Sequence, residues 1–152
     1  MPVSVAVRSG ASAPDIGTGE AVKRLLLSVS SVSYPDPARG TGAGISFEHT
    51  LEQLGIAAEV HAKLKHADGG AEAMRLVADG QVELGLTYQS EMQDPGIRVV
   101  GPLPQEISAP TPLVGFVSAE CAYGDGALAV LRFLASPAAR AVYHAHSMQP
   151  LY

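Results

Sequence analysis

The sequence predicts an α/β domain: a mostly parallel sheet with helices on both faces. Three observations carry that expectation. Segments with strand-like patterning alternate with segments whose apolar residues recur at helical spacing. Residues 82–88 are apolar enough for a strand buried on both faces, as a helix-covered sheet requires. Ala, Val, Leu and Gly dominate a chain with three Phe, five Tyr and no Trp, which suits helices packed close to a sheet.

Taken in order, residues 3–7 alternate small and β-branched side chains and run into Arg8-Ser9-Gly10, a short strand. Thr18 is placed to cap a helix, with Glu20 in the first turn and Ala21, Val22, Leu25, Leu26 and Val29 as its buried stripe. A strand over 29–34 ends at Pro35-Asp36-Pro37. The loop Arg39-Gly40-Thr41-Gly42-Ala43-Gly44 leads into a second helix, whose Ile45, Phe47, Leu51 and Leu54 share a broad face and which Gly55 ends. Period-two alternation over 59–65 predicts the next strand. Asp68 caps a third helix, with Ala71, Met74, Val77 and Ala78 inward and Gly80 at its exit, before the strand over 82–88. Two further strands, 97–101 and 112–118, flank the loop 102–111. Asp125 caps a helix carrying Ala127, Val130, Leu131 and Leu134, and Ser136-Pro137 opens a last one.

A chain of 152 residues with 47% hydrophobic content suits one domain with its own core. The net charge of −5, with no basic stripe, argues against nucleic acid and anionic membranes as partners. Cys121 stands alone, which excludes an internal disulfide and a cysteine metal cluster. No apolar run approaches the ~18 residues of a membrane span, so membrane insertion is not expected. Residues 1–10 lack the basic-then-apolar order of a signal peptide.

Ligands of such sheets bind beyond the carboxyl ends of the strands, close to helix N-termini. Here that rim is the loop 36–44, the turn 67–70 and the strand end at Tyr88. Glycines let backbone approach a ligand, and a helix start offers free N–H groups and partial positive charge to an anion. The glycine loop is neither a phosphate-binding P-loop nor a GxGxxG turn. Taken alone, a plain strand-to-helix turn explains it better, and a plain cap explains Asp68-Gly69-Gly70. A Tyr88 hydroxyl at the sheet mouth is a neutral donor for an oxyanion, a reading that weighs evenly against a ring in the core with its hydroxyl in water. The five histidines, His49, His61, His66, His144 and His146, lack the i, i+4 pairing of a helical zinc site and read as surface residues. Asp36 reads as a turn residue, and no nucleophile, base or carboxylate pair stands out, so no enzyme and no cofactor are expected.

From Val5 onward the chain resembles the C-terminal part of ABC-importer solute-binding proteins of the molybdate type. The resemblance is carried by Val5-Ala-Val-Arg-Ser-Gly10, Pro14-Asp-Ile16, Tyr34-Pro-Asp-Pro37, Gly42-Ala-Gly44 and Leu54-Gly-Ile56. It continues through Val77-Ala-Asp-Gly80, Leu84-Gly-Leu-Thr-Tyr-Gln-Ser-Glu91, Val100-Gly-Pro-Leu-Pro104 and Phe133-Leu-Ala-Ser-Pro137. It implies one lobe of a periplasmic-binding-protein type II-like fold, with residues 1–10 as a hinge strand and 11–95 as the second α/β lobe. Residues 96–152 then supply hinge strands and C-terminal helices that pack on a first lobe outside this chain. It also implies a small oxyanion or organic anion as ligand, an ABC permease as partner, and neutral hydrogen bonds at Ala43, Gly70 and Tyr88, with Gly42 and Gly44 beside them. Where the family has Pro before that Ala, this chain has Gly42, which loosens the turn. With one wall of the cleft, the chain is expected to hold an oxyanion weakly or not at all, and to self-associate through the surface meant for the first lobe. The alternatives are an effector-sensing module of a cytosolic regulator and a small enzyme using a histidine or Tyr88. The compartment follows from the parent: periplasmic if it carries a signal peptide, cytoplasmic otherwise.

Overall fold

The computed structural model describes residues 1–150. The chain divides into two compact units, Pro2–Thr111 and the segment from Pro112 onward, with Met1 grouped with the latter. The first unit holds strands β1 (Val3–Arg8), β2 (Val32–Pro35), β3 (Leu64–Ala67), β4 (Leu84–Tyr88) and β5 (Ile97–Pro102). Its helices are α1 (Gly19–Ser28), α2 (Gly42–Leu54), α3 (Ala57–His61) and α4 (Gly70–Ala78), with 3-10 turns at Pro37–Arg39 and Gln89–Glu91.

The strands form one sheet in the order β3-β2-β4-β1-β5. It is mixed. β2 runs parallel to β3 (Val32 opposite Leu64, Pro35 opposite Ala67) and to β4, whereas β1 lies antiparallel between β4 and β5. The parallel half is the part that the βα alternation announces, and β1 marks its limit. Every residue of β4 is buried, and so are the first five of β1. Successive side chains point to opposite faces, so both faces of these strands are covered.

Local chemistry explains most elements. Thr18 caps α1 by accepting the Ala21 N–H at 3.1 Å, and Ala21, Val22 and Leu26 are buried beneath it. α2 buries Phe47 and Leu51 completely, each worth about 1.5–3 kcal/mol of transfer free energy. Gly55 ends α2 in the left-handed region at φ 66°, its N–H donating to carbonyls of the last turn. α4 buries Ala73, Met74, Leu76 and Val77 in a cluster with Ala6, Ala67, Val82 and Met92. A Cβ on Gly85 of β4 would meet Val77 Cγ2 at 2.5 Å and Met74 Cε at 2.8 Å, so the missing side chain sets how closely α4 lies on the sheet.

Several elements differ from their sequence patterns. Residues 59–65 are not one strand: α3 takes 57–61, with the Val60 N–H bonded to the Ile56 carbonyl, and β3 begins at Leu64. Val60 is buried inside a helical turn, and burial at that point decided the local conformation over the alternating pattern. β2 begins at Val32 because Val29 still closes α1 through its N–H to Leu25. Asp68 does not cap α4. Gly69 holds the cap position, the Asp68 N–H donates to Glu72 Oε2 at 2.7 Å, and the Asp68 carboxylate pairs with Arg39. Met74 and Val77 are buried as their spacing predicts, together with Ala73 and Leu76, whereas Ala71 is exposed and Ala78 half-buried.

In the second unit, residues 112–118 form no strand, and Leu113, Val114 and Phe116 are exposed. β-branched content does not make a strand where no neighbour completes the hydrogen-bond ladder. α5 (Gly124–Leu134) starts one residue before Asp125, which sits in its first turn and not at the cap. Ser136 donates its hydroxyl back to the Phe133 carbonyl at 2.7 Å and so does not cap. Pro137 opens a 3-10 turn, Pro137–Ala139, that continues into α6 (Arg140–Ala145). Tyr143 Oη closes this hairpin by donating to the Leu134 carbonyl at 2.9 Å.

Candidate ligand-binding site

The parallel strands β2, β3 and β4 end on one edge of the sheet, and the chain leaves that edge into helices. From β2 it passes the 3-10 turn Pro37–Arg39 and enters α2 at Gly42; from β3 it turns through Asp68 and Gly69 into α4 at Gly70. Thr41 precedes α2, but its hydroxyl donates to the Asp36 carbonyl at 2.9 Å instead of capping. Among the described residues no side chain caps α2 or α4, which leaves amide donors and dipole charge at both helix starts. An exposed Arg39–Asp68 pair at 2.9 Å links the two preceding loops.

Tyr88 ends β4 at the same edge. The residue is 7% exposed, and its hydroxyl is buried without a hydrogen-bond partner among the described residues. Such a group costs about 1–3 kcal/mol unless something binds to it. The hydroxyl lies 2.7 Å from where a Cβ on Gly42 would stand, so the first residue of α2 leaves room for the phenol. Gly44 has a different job. A Cβ there would overlap the Pro35 carbonyl and come within 2.6 Å of Thr41 Oγ1, so the glycine lets α2 dock on the end of β2. Ala43, between them, is buried.

Gly70 is buried at the start of α4, where a Cβ would overlap a Glu91 carboxylate oxygen and meet Thr87 Oγ1 at 2.5 Å. Thr87 Oγ1 donates to that same Glu91 oxygen. The structure thus brings Gly42 against Tyr88, with Ala43 and Gly44 in the same helical turn. It sets Gly70 against Thr87, the residue before Tyr88, and against Glu91. Thr87 and Glu91 are the residues that pattern reading missed. The available signal was a carboxylate three residues past Tyr88, immediately beyond a buried strand.

A second polar cluster joins β2, α2 and α3. Tyr34 Oη donates to Glu48 Oε1 at 2.5 Å, and His61 Nε2 lies 3.0 Å from Glu48 Oε2. Burial pushes the Tyr34 phenol well above the ordinary tyrosine range, helped by its bond to Glu48, the Glu48 charge and the Asp36 charge. Tyr34 is fully buried and its ring meets Phe47 edge-on at 4.9 Å, so the cluster fastens three elements together. At the opposite end of the sheet, an open hollow of about 450 Å³ is lined mainly by Val7, Arg8, Leu25, Val29, Val82 and Leu84.

Sheet order, helix placement and edge together define a periplasmic-binding-protein-like α/β fold. The sequence profile described as bacterial extracellular solute-binding protein matches residues 1–149, and the chain belongs to that family. It is 32% identical over 152 residues to an aconitate isomerase of a Pseudomonas species, covering 98% of this chain and 56% of that protein. Among solved structures it resembles a substrate-binding domain assigned to a molybdenum ABC transporter of Clostridium difficile, with TM-score 0.68 and 16% identity over 94% of this chain and 60% of that one. It also resembles the periplasmic molybdate-binding protein of Azotobacter vinelandii, with TM-score 0.65 and 16% identity over 95% of this chain and 64% of that one. At these identities the structural likenesses speak for the fold. The chain spans somewhat more than half the length of the relatives it matches.

Proposed function

We propose that this chain supplies one wall of a solute-binding cleft for a small anion, and that the whole protein hands its solute to an ABC permease. The observation that carries this reading is the buried Tyr88 hydroxyl, without a partner among the described residues, set against Gly42 at a helix start that none of their side chains caps. Backbone amides at Ala43 and Gly70 and the phenol at Tyr88 are neutral donors, which hold an anion without importing a counter-charge. In this reading residues 11–95 form the wall, and residues 1–10 and those from 96 onward connect it to the other lobe. The exposed Val130, Phe133 and Val142 of the second unit belong to a surface that the other lobe covers. Alone, that surface drives self-association, and a clean monomer by light scattering at high concentration counts against it.

A single wall holds its ligand weakly, because losing half the donors at about 1 kcal/mol each lowers affinity by orders of magnitude. The test is an NMR titration of the ¹⁵N-labelled chain with molybdate and sulfate. Saturable shifts of the Gly42, Ala43 and Gly70 amides at millimolar anion support the reading; amides that stay still while the anion saturates elsewhere refute it.

A second reading is favoured by the 32% identity to an aconitate isomerase. Isomerising aconitate by an allylic shift takes a proton from one carbon and returns one to another, and Glu91 and Tyr88 are among the ionisable groups at this edge, with Asp36, Arg39 and Asp68 in the loops beside them. Proton NMR of cis-aconitate incubated with the whole protein separates the two readings: appearance of the trans isomer above the uncatalysed rate favours the enzyme.

A further inference from the structure

An anion seat does not ask for Glu91. Its carboxylate oxygen lies so close to Gly70 that a Cβ there would overlap it, and Thr87 donates to the same oxygen. This is the first turn of α4, where partial positive charge attracts a negative group. A carboxylate of the chain itself therefore stands beside the start of α4, where an anion held by the Gly70 amide would meet it. At α2 the arrangement is opposite. Uncapped amides and the Tyr88 hydroxyl, 7% exposed and unpartnered among the described residues, offer donors with no carboxylate between them.

Like charges in contact repel even in water, and more strongly as a closing cleft removes it. An oxyanion ionised on every side must either sit beside Glu91 or displace it from Thr87 and α4. A ligand that carries a carboxylate at one end and a hydrogen-bond donor at the other meets neither cost, because Glu91 accepts from the donor. We propose that Glu91 sets the ligand class of this wall: a hydroxy acid whose carboxylate lies on α2 and Tyr88 while its hydroxyl donates to Glu91, in preference to a tetrahedral dianion. The inference rests on the anion-wall reading and adds the chemistry of the ligand to it.

The test uses three probes at neutral pH: 4-hydroxybutyrate, butyrate (the same monocarboxylate without the hydroxyl) and sulfate. Each is titrated into the ¹⁵N-labelled chain and its Glu91→Ala and Glu91→Gln variants, with the Gly42 and Ala43 amides as readout. The chain itself binds 4-hydroxybutyrate more tightly than butyrate or sulfate, by about tenfold. Glu91→Ala closes the hydroxybutyrate–butyrate gap and strengthens sulfate by about tenfold, since a repelling charge is gone. Glu91→Gln, neutral but still an acceptor, strengthens sulfate while keeping part of that gap. If Glu91→Ala leaves the hydroxybutyrate-to-sulfate ratio unchanged while the α2 amides still respond, the role of Glu91 is overturned and the anion wall stands. If no probe moves the α2 amides in any form, the wall reading falls and this inference falls with it.

Discussion

The Tyr88 hydroxyl lies 2.7 Å from the point that a Cβ on Gly42 would occupy, so the end of β4 and the start of α2 meet with no side chain between them. The phenol is aimed at a helix start and satisfied by nothing among the described residues. Protein interiors rarely tolerate such a group without a use for it. The contact therefore makes function and stability pull in opposite directions, which is measurable.

Tyr88→Phe removes the unpartnered hydroxyl and leaves the ring. Stability in urea stays the same or rises by up to about 1 kcal/mol, while anion affinity falls about tenfold. A loss of more than 2 kcal/mol in the melt contradicts the absence of a partner.

Gly42→Ala pushes a methyl group against the phenol. The better helix residue gains about 0.5–1 kcal/mol, and displacing a packed ring costs about 1–3 kcal/mol. Small net destabilisation and weakened anion binding are expected. Combined with Tyr88→Phe the clash is relieved, so a double-mutant cycle on stability returns a coupling of about 1 kcal/mol. Strict additivity contradicts the contact.

Gly44→Ala is a harsher change two residues on, because the atom it meets is the Pro35 backbone carbonyl and not the tip of a side chain. Thermal unfolding detects a loss of about 3 kcal/mol or more, at the upper end of overpacking costs. A melt indistinguishable from the unsubstituted chain shows that α2 can lift off β2 freely.

Tyr34 gives the fold an alkaline limit. Burial and Glu48 keep its phenol neutral well above the ordinary tyrosine range, whereas in the unfolded chain it ionises near pH 10. A folded pKa raised above the unfolded one means the stabilisation is complete below pH 10. It is lost as pH climbs from there toward the folded pKa, at up to about 1.4 kcal/mol per pH unit. Tyr34→Phe lacks this proton, so its stability falls less steeply above pH 10 in urea titrations. Parallel slopes for the two proteins contradict the assignment.

Much of the architecture is legible in the chain because it rests on local signals. Thr18 before an apolar stripe, Gly55 after one, and a largely apolar run at β4 each specify an element without knowledge of its neighbours. The misreadings fall where a neighbour decided. Alternation over 59–65 describes a strand, yet Val60 was buried by a helical turn; residues 112–118 have strand composition but no ladder to join. The antiparallel placement of β1 is a long-range choice that no window around it encodes. At the edge, glycines before helices and a tyrosine after a strand were readable as types. The meeting of Gly42 with Tyr88 and the approach of Glu91 to Gly70 depend on how two helices sit on the sheet, and spacing along the chain does not report that.

The place of β1 within the sheet also constrains assembly. It comes early in the chain, yet it is hydrogen-bonded on both sides by β4 and β5, which begin only at Leu84 and Ile97. During synthesis this strand has no partner until Tyr88 has emerged and no second one until Pro102, while β2 and β3 can pair with each other much sooner. Contacts this far apart in the chain slow the final closing of a sheet and keep an apolar ribbon open to wrong pairing in the meantime. The segment that knits the two halves of the sheet together is thus the last to be secured.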